Sequence, residues 1–401
     1  MRAFSFVHAA DLHLGYSQYG LEARREDFDR SFQELTDRTI ELRPDFMILA
    51  GDIFHQARPS NVTLENAVRN FSRLHEAGIP VLTVDGSHDS APNNVTGTIL
   101  NPLDSAGLIY NIPRHEGACW KKTGCCYVYG IPNYRTRHKT EDSLPLFMQE
   151  NVPTPDASLF NIFVLHMALD LPGVTPAYIE AEASPDLIPD GFDYYAAGHV
   201  HKPYREKFKA GILVYSGCTE TTDYAEASIA KGFYHVRVDE NRAVTMDFVS
   251  LNSIRKFIVI EHEFMGIDPR EVTEQIVRLI KGADEPESVI VPIIRGTLPA
   301  EANRTDVEIA RIRGAAEKAL LVHPVVQLRE SGVSEELVRS IFESEFSDLR
   351  TKAFEYFTQV FSERYGREEA ENIAHVAVSL IEPLTRRQED KVKEAIEELL
   401  K

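Results

Sequence analysis

The sequence predicts an α/β fold from three observations. Five short apolar runs have the length and composition of buried strands. The residues between them include amphipathic segments, such as 62–74, whose apolar side chains recur on one helical face. Each apolar run also ends in a polar cluster. The predicted strands are residues 4–7, 46–50, 81–84, 162–165 and 194–197. This alternation predicts one layered α/β domain, which we place at residues 1–252.

The polar clusters at the strand ends are rich in aspartate and histidine. They contain Asp11 and His13, then Asp52, then Ser87 with His88 and Asp89, then His166, and finally His199 and His201. Because a sheet gathers the ends of its strands on one edge, we expect these side chains to meet. Each cluster alone has a structural reading, such as a helix cap at Asp52 or a core histidine at His166. The ordered series of five predicts a metal-binding site.

Carboxylate and imidazole ligands suit manganese, iron or zinc better than calcium. Two such ions about 3.5–4 Å apart can activate a water molecule and stabilise charge on a phosphoryl group. Asp52 is the natural residue to contact both ions, since a carboxylate has two oxygens. The residue types therefore favour hydrolysis of a phosphate ester.

The series Asp-x-His, Gly-Asp, Gly-x-His-Asp, His and Gly-His-x-His resembles the pattern of the calcineurin-like metallophosphoesterases. Within that family, the stretches at 11–15, 51–55 and 215–217 (DLHLG, GDIFH and YSG) are most similar to the archaeal double-strand-break repair nucleases, relatives of the bacterial SbcD exonuclease subunit. The resemblance implies a β-sandwich flanked by helices. It also implies a nuclease with two Mn²⁺ ions that acts on DNA ends as a double-strand exonuclease and a single-strand endonuclease.

The resemblance also assigns ligands and catalytic groups. One ion would be bound by Asp11, His13, His201 and Asp52, and the other by Asp52, Ser87, His166 and His199. The family usually has Asn where this chain has Ser87, a shorter and weaker neutral ligand, so Ser87 either binds the second ion or stands behind a ligand. His88 would stabilise the transition state or protonate the leaving oxygen, unless it is a turn histidine bonded to Asp89. His55 would position the nucleic acid strand.

Composition indicates a cytoplasmic protein of two or three domains. The chain has 401 residues, of which 43% are hydrophobic and 26% charged, as in ordinary soluble proteins. We find no signal peptide and no apolar run near the roughly 18 residues that span a bilayer. The four cysteines lack Cys-x-x-Cys spacing, which favours reduced thiols.

The net charge of −19 opposes DNA binding, which depends on neutralising phosphates. Bound divalent ions would offset some of it. Basic residues near the motifs are the expected DNA contacts, although such stripes are often solvated surface. These residues are Arg135, Arg137, Lys139, Lys202 and Arg205. A partner protein could supply further affinity, so the isolated chain should bind DNA weakly and lose binding steeply with salt.

Residues 253–332 predict a small α/β module, which the resemblance makes a capping domain. Its strands are expected at 256–261, 288–294 and 324–328, and its helices at 269–280 and 305–320. Residues 333–401 predict helices with apolar faces. The faces comprise Leu337, Ile341, Phe346 and Leu349, then Phe354, Phe357 and Phe361, then Val392, Ile396 and Leu399.

The C-terminal faces either pack back onto the chain or, as the resemblance implies, dock an SMC-like coiled-coil ABC ATPase. The resemblance further implies a homodimer through helices near 62–74, although that apolar stripe suits core packing equally well. Two other functions remain open. One is a small-molecule phosphodiesterase or nucleotidase, and the other is an adaptor of a repair complex with little activity, for which Ser87 is the best support.

Overall fold

The computed structural model of the chain describes residues 1–90, 97–122, 124–152, 154–174, 180–299, 302–330, 354, 357–358, 361–362 and 366–385. The chain forms two compact units, Met1–Phe257 and Ile258–Lys401. Within the described residues, no helix combines the length and apolar character needed to cross a membrane.

The first unit contains two six-stranded sheets with a shared core. The first sheet has the order β12-β11-β1-β2-β3-β4, and the second has the order β5-β6-β7-β8-β10-β9. The strands are β1 (Phe4–Ala9), β2 (Phe46–Ala50), β3 (Val81–Val84), β4 (Tyr110–Asn111), β5 (Cys119–Lys122), β6 (Cys126–Gly130), β7 (Phe160–His166), β8 (Tyr194–Gly198), β9 (Tyr204–Phe208), β10 (Gly211–Tyr215), β11 (Gly232–Val238) and β12 (Val244–Ser250).

Apolar side chains of both sheets form one buried cluster, which makes the unit a sandwich. Phe6 of β1 and Tyr194 of β8 meet edge to face across it, with ring centroids 5.2 Å apart. The pleat explains the pattern, since alternate residues of each strand face this cluster and the others face the helices. The predicted sandwich flanked by helices is confirmed.

Helices cover the outer faces of both sheets. They are α1 (Glu22–Leu42), α2 (Asn61–Glu76), α3 (Leu100–Ser105) and α4 (Arg137–Asn151). The N-cap Ser60 starts α2 by accepting a hydrogen bond from the Thr63 N–H at 3.2 Å. Most apolar side chains of α2, including Phe71 and Leu74, pack in the buried cluster between the first sheet and its helices. Val62 is the exception, since it is 54% exposed.

The strand directions bring the polar clusters together. β1, β2 and β3 run parallel in one sheet, and β6, β7 and β8 run parallel in the other. Asp11, Asp52 and Gly86 each follow a strand by two residues, whereas His166 and Gly198 are the last residues of β7 and β8. The carboxyl ends of the parallel strands therefore form one edge that carries the polar clusters.

The second unit has a four-stranded sheet and a strongly amphipathic helix. Its elements are β13 (Phe257–Met265), α5 (Pro269–Gly282), β14 (Val289–Leu298), α6 (Ile309–Arg313), β15 (Leu321–Val322), β16 (Val325–Glu330) and α7 (Arg367–Thr385). Ile276 and Ile280 of α5 pack in the core of this unit.

One predicted element of the second unit is wrong. In place of a helix over 305–320, the structure has a short 3-10 helix at Arg304–Asp306 and then α6, which ends at Gly314. The carboxylate of Asp284 accepts hydrogen bonds from the backbone N–H groups of Glu317 and Ala319, both at 2.9 Å. These bonds hold that stretch in a turn. Most residues on which the docking prediction rests lie outside the described residues, namely Leu337, Ile341, Phe346, Leu349, Val392, Ile396 and Leu399.

Candidate metal centre

The first group of potential ligands consists of Asp11, His13 and His201. The Nε2 atoms of His13 and His201 are 3.2 Å apart, and His201 Nε2 lies 3.7 Å from Asp11 Oδ1. Ligand atoms about 2.1 Å from one ion would lie at separations of this size. The three residues therefore fit a single transition-metal ion.

The second group consists of Asp52, His166 and His199. His166 Nδ1 donates a hydrogen bond to the Ala50 carbonyl at 2.7 Å, so its Nε2 carries the lone pair when the ring is neutral. That Nε2 is buried without a hydrogen-bond partner and lies 3.2 Å from Asp52 Oδ2. Two electron-rich atoms at this distance need a cation between them. The pair therefore fits a metal ion.

Electrostatics support the same conclusion. Burial alone would lower the pKa of His166, but the charge of Asp52 raises it to about 10. The centre thus holds a proton firmly when no other cation is supplied. Burial raises the pKa of Asp11 to about 6 and lowers the pKa of His199 to about 3. A divalent ion would stabilise the ionised carboxylates and the neutral imidazoles together.

Ser87 lies beside Asp52, the carboxylate of the second group. Its hydroxyl oxygen is 3.5 Å from Asp52 Oδ2. The other oxygen, Asp52 Oδ1, accepts the backbone N–H of His88 at 2.8 Å. The Ser87 hydroxyl therefore lies beside Asp52, where the resemblance predicts an asparagine, but its side chain is shorter than that of asparagine.

The backbone around the ligands is strained. Asp11, His13, Asp52 and His199 all have positive φ, at 54°, 46°, 49° and 85°. Non-glycine residues adopt this region at a cost of order 1–3 kcal/mol each. All four residues are potential ligands, and they lie just beyond the carboxyl ends of β1, β2 and β8.

Two glycines permit this crowding. A Cβ atom on Gly86 would lie 2.1 Å from Asp52 Oδ1, and one on Gly198 would lie 2.0 Å from the Ala50 carbonyl oxygen. Both distances are too short for any side chain. The glycines of the Gly-x-His-Asp and Gly-His-x-His stretches are therefore required by close backbone approach.

His88 lies at the open side of the centre, with 41% of its side chain exposed. Its Nδ1 is 2.9 Å from the carbonyl oxygen of His55, and its Nε2 is 4.0 Å from Asp52 Oδ2. Asp89 instead accepts backbone N–H groups of Phe54 and Gly86, at 2.8 and 2.9 Å. The alternative of a turn histidine bonded to Asp89 is therefore not what the structure contains.

His55 is held in a stack of rings. Tyr16 stacks on one side, with ring centroids 3.9 Å apart, and His88 lies on another at 5.0 Å. Burial lowers the pKa of His55 to about 4, so the ring is neutral at physiological pH. A neutral, oriented imidazole at the mouth of the centre can contact a substrate by hydrogen bonding.

The predicted DNA contacts lie in two different settings. The Arg135 guanidinium donates a hydrogen bond to the Ser90 carbonyl, and Arg137 pairs with Glu141 at 3.0 Å. Both arginines line a depression that also contains His199. The remaining three are exposed and form no ion pair within the described residues, namely Lys139, Lys202 and Arg205.

Sequence reasoning missed several side chains that support the ligands. Glu226 lies 2.6 Å from His201 Nδ1, Glu182 lies 3.6 Å from His199 Nε2, and Asn133 donates to the His166 carbonyl at 2.5 Å. Glutamates of this kind carry no local signal among 62 acidic residues. Only the fold brings them behind the histidines.

A two-sheet sandwich with paired aspartate and histidine groups at its strand ends defines a metal-binding phosphoesterase domain. Residues 4–203 match the family of calcineurin-like phosphoesterases, to which this part of the chain belongs. The predicted family is confirmed, and divalent metal ions are the cofactors that the family and the two ligand groups imply.

The chain is similar to archaeal proteins called DNA double-strand break repair protein Mre11. The protein of Methanopyrus kandleri is 30% identical over 268 residues, which are 64% of this chain and 58% of that relative. The protein of Archaeoglobus fulgidus is 31% identical over 67% of this chain and 60% of its own length. The protein of Methanocaldococcus jannaschii is 29% identical over 70% of this chain and 74% of its length. The similarity thus spans about three fifths of the first two relatives.

Proposed function

We propose that this protein is a manganese-dependent DNA nuclease that processes broken DNA ends, as a double-strand exonuclease and a single-strand endonuclease. The observation that carries the proposal is that two three-residue ligand groups lie side by side, with His166 Nε2 3.2 Å from Asp52 Oδ2 and 4.0 Å from Asp11 Oδ1. The Mre11 relatives support DNA as the substrate and double-strand break repair as the process. The mixed carboxylate and imidazole ligands support manganese.

The chain's own residues divide the chemical work. Asp11, His13 and His201 would hold one ion, and Ser87, His166 and His199 the other, with Asp52 shared. When bound, such ions supply a nucleophile at neutral pH and stabilise charge on the phosphoryl group. His88 is the exposed imidazole next to Asp52, so it is placed to donate a proton to the leaving oxygen or a hydrogen bond to the phosphoryl group. His55 would orient the DNA strand at the centre.

Basic side chains are proposed to guide the DNA backbone to the centre. Lys139, Lys202 and Arg205 present free charge to solvent. Arg135 and Arg137 line the depression beside His199, but both are already engaged within the protein. The net charge of −19 makes the chain as a whole repulsive to DNA, so binding should be weak. It should also weaken steeply with salt, because the proposed contacts are between cationic side chains and phosphates.

We also propose roles for the remaining domains and for partner molecules. Residues 253–332 would serve as a capping domain, and residues 333–401 would dock an SMC-like coiled-coil ABC ATPase. Exposed Val62 on α2 supports a homodimer contact at that helix, which would suit two DNA ends. Such a complex would work on DNA in the cytoplasm, associated with the nucleoid. Deleting 333–401 should abolish ATPase binding while sparing cleavage of simple DNA substrates.

The proposal is tested by incubating the full chain with Mn²⁺ and end-labelled duplex DNA, circular single-stranded DNA, bis(p-nitrophenyl) phosphate and cyclic nucleotides. We expect both DNAs to be cleaved faster than the small esters, and Asp52→Asn to remove all activity. Higher kcat/KM on the small esters would identify a small-molecule phosphodiesterase instead. Binding of Mn²⁺ without cleavage of any substrate would identify an adaptor.

A further inference from the structure

Behind His201, on the side away from the other ligands, lies a buried charged cluster. The carboxylate of Glu226 accepts a hydrogen bond from His201 Nδ1, with 2.6 Å between Oε1 and Nδ1. Glu226 is 4% exposed, and Lys231 and Cys218 are buried beside it. Lys231 Nζ lies 3.0 Å from Glu226 Oε2 and 3.1 Å from Cys218 Sγ.

This cluster is not a third metal site, although His201, Cys218 and Glu226 are close enough to share an ion. The ammonium of Lys231 already occupies the cation position between the carboxylate and the sulfur. A second cation there would be repelled by this buried positive charge. The cluster therefore acts on His201 and does not compete with it.

The polar neighbours of Glu226 are hydrogen-bond donors. Thr222 donates its hydroxyl to Oε1 at 2.9 Å and its backbone N–H to Oε2 at 3.2 Å. His201 Nδ1, Lys231 Nζ and the Cys218 thiol supply the other polar contacts. A carboxylate accepts at both oxygens, whereas an amide would turn one N–H group toward a donor. The site is thus built for a carboxylate.

Two groups face His201 Nδ1, namely Glu226 Oε1 at 2.6 Å and the Thr222 hydroxyl oxygen at 2.9 Å. Because that hydroxyl donates its proton to Glu226 Oε1, both oxygens can only accept from Nδ1, so the carboxylate determines which nitrogen of His201 carries the proton. With Nδ1–H donated to the carboxylate, Nε2 keeps its lone pair. That lone pair lies at the first ligand group, 3.2 Å from His13 Nε2. The other histidines lack an equivalent support. His166 is oriented by a backbone carbonyl, and His13 Nδ1 is buried without a hydrogen-bond partner.

We propose that Glu226 is a positioning residue for the metal centre. It fixes the tautomer and ring orientation of His201, so the affinity of the first ion depends on a carboxylate that does not touch the ion. A charged acceptor strengthens the hydrogen bond and makes the opposite nitrogen a better ligand. Glu182 faces His199 at the longer distance of 3.6 Å, so the second ion should depend less on its supporting acid. This inference rests on the proposed metal site, but not on the choice of substrate.

The test measures Mn²⁺ binding to the full chain by titration calorimetry, without DNA. His201→Gln and His199→Gln identify the binding events of the first and second ions. We expect Glu226→Gln to weaken the first ion by about 10–100-fold, the usual effect of losing such a support, and to change the second by less than about threefold. Glu226→Asp, which keeps the charge but shortens the reach, should weaken the first ion by an intermediate factor. This variant also tests the inference if Glu226→Gln fails to fold.

Glu220→Gln is the matched control. Glu220 is also a buried glutamate of the same segment, but its carboxylate accepts from Arg24 at 3.3 Å and from the Thr221 N–H at 2.7 Å. The Glu220→Gln substitution should lower the melting temperature without changing the affinity for either Mn²⁺ ion. Wild-type affinity for both ions in the Glu226 variants would overturn the inference, as would equal weakening of both ions by Glu226→Gln and Glu220→Gln. If wild-type protein binds two ions but cleaves no DNA, the proposed nuclease fails while the loss in Glu226→Gln still supports the inference.

Discussion

His13 and His201 are 188 residues apart in the sequence, yet their Nε2 atoms lie 3.2 Å from each other. His201 donates its Nδ1 proton to Glu226, so the nitrogen that faces His13 carries a lone pair. Nearby, Nε2 of His166 lies 3.2 Å from Asp52 Oδ2, and it carries a second lone pair when the ring is neutral. The fold therefore assembles ligands whose mutual repulsion only a proton or a cation relieves. It does so with strained backbone at Asp11 and Asp52.

Mn²⁺ should therefore stabilise the first unit strongly. With Mn²⁺ at 100 times the dissociation constant, each bound ion adds about 2.7 kcal/mol to the free energy of unfolding. We expect the melting temperature to rise by roughly 5–10 °C on adding Mn²⁺ and to fall again with EDTA. Differential scanning calorimetry measures the shift. His13→Ala should lose at least half of it, and an undiminished shift in that variant would argue against His13 as a ligand.

The strands and the ligand groups were predictable because their signals are local. β2 and β3 have the bounds expected from sequence, since an apolar run between polar residues determines a buried strand. The gathering of the aspartate and histidine clusters followed from the rule that parallel strands end on one edge. The segment 305–320 was mispredicted because the bonds that shape it come from Asp284, which is distant in sequence. Glu226 and Tyr16 were not found for the same reason, since their roles depend on contacts that only the fold creates.

His88→Ala should separate catalysis from metal binding. His88 lies beside Asp52 with 41% of its side chain exposed, and it belongs to neither of the two ligand groups. We expect kcat on duplex DNA to fall by about 10²–10⁴-fold, the usual contribution of a general acid. Calorimetry should show both Mn²⁺ affinities within about threefold of wild type. Parallel loss of metal and turnover would instead make His88 a structural residue.

Ser87→Asn should tighten the second ion. The serine hydroxyl reaches only to 3.5 Å from Asp52 Oδ2, and an amide oxygen extends further and is the better neutral ligand. We expect the affinity of the second Mn²⁺ to rise by about tenfold, or ~1.4 kcal/mol, with the first unchanged. Titration calorimetry on the metal-free protein measures both. Ser87→Ala should weaken the second ion if the hydroxyl is a ligand, and unchanged affinity in both variants would place Ser87 outside the coordination sphere.

His8 should make the protein acid-sensitive independently of the metal centre. Its ring is fully buried in β1, with Nδ1 3.0 Å from the Tyr194 hydroxyl and Nε2 without a hydrogen-bond partner. Burial lowers the pKa of His8 to about 3, against 6.5 in the unfolded chain. Below pH 6.5 His8 binds a proton in the unfolded state but stays neutral in the folded state. This group therefore lowers the free energy of unfolding by about 1.4 kcal/mol for each pH unit between 6.5 and 3. Above pH 6.5 the His8 ring is neutral in both states, and the effect vanishes.

Urea unfolding in EDTA at pH 7.5, 6.5, 5.5 and 5.0 measures this effect. The free energy of unfolding should depend less steeply on pH for His8→Leu than for wild type, even though loss of the tyrosine contact lowers the stability of the variant at every pH. His138→Leu, at an exposed histidine, is the control and should keep the wild-type slope. Equal slopes for wild type and His8→Leu would mean that His8 is protonated in the folded protein.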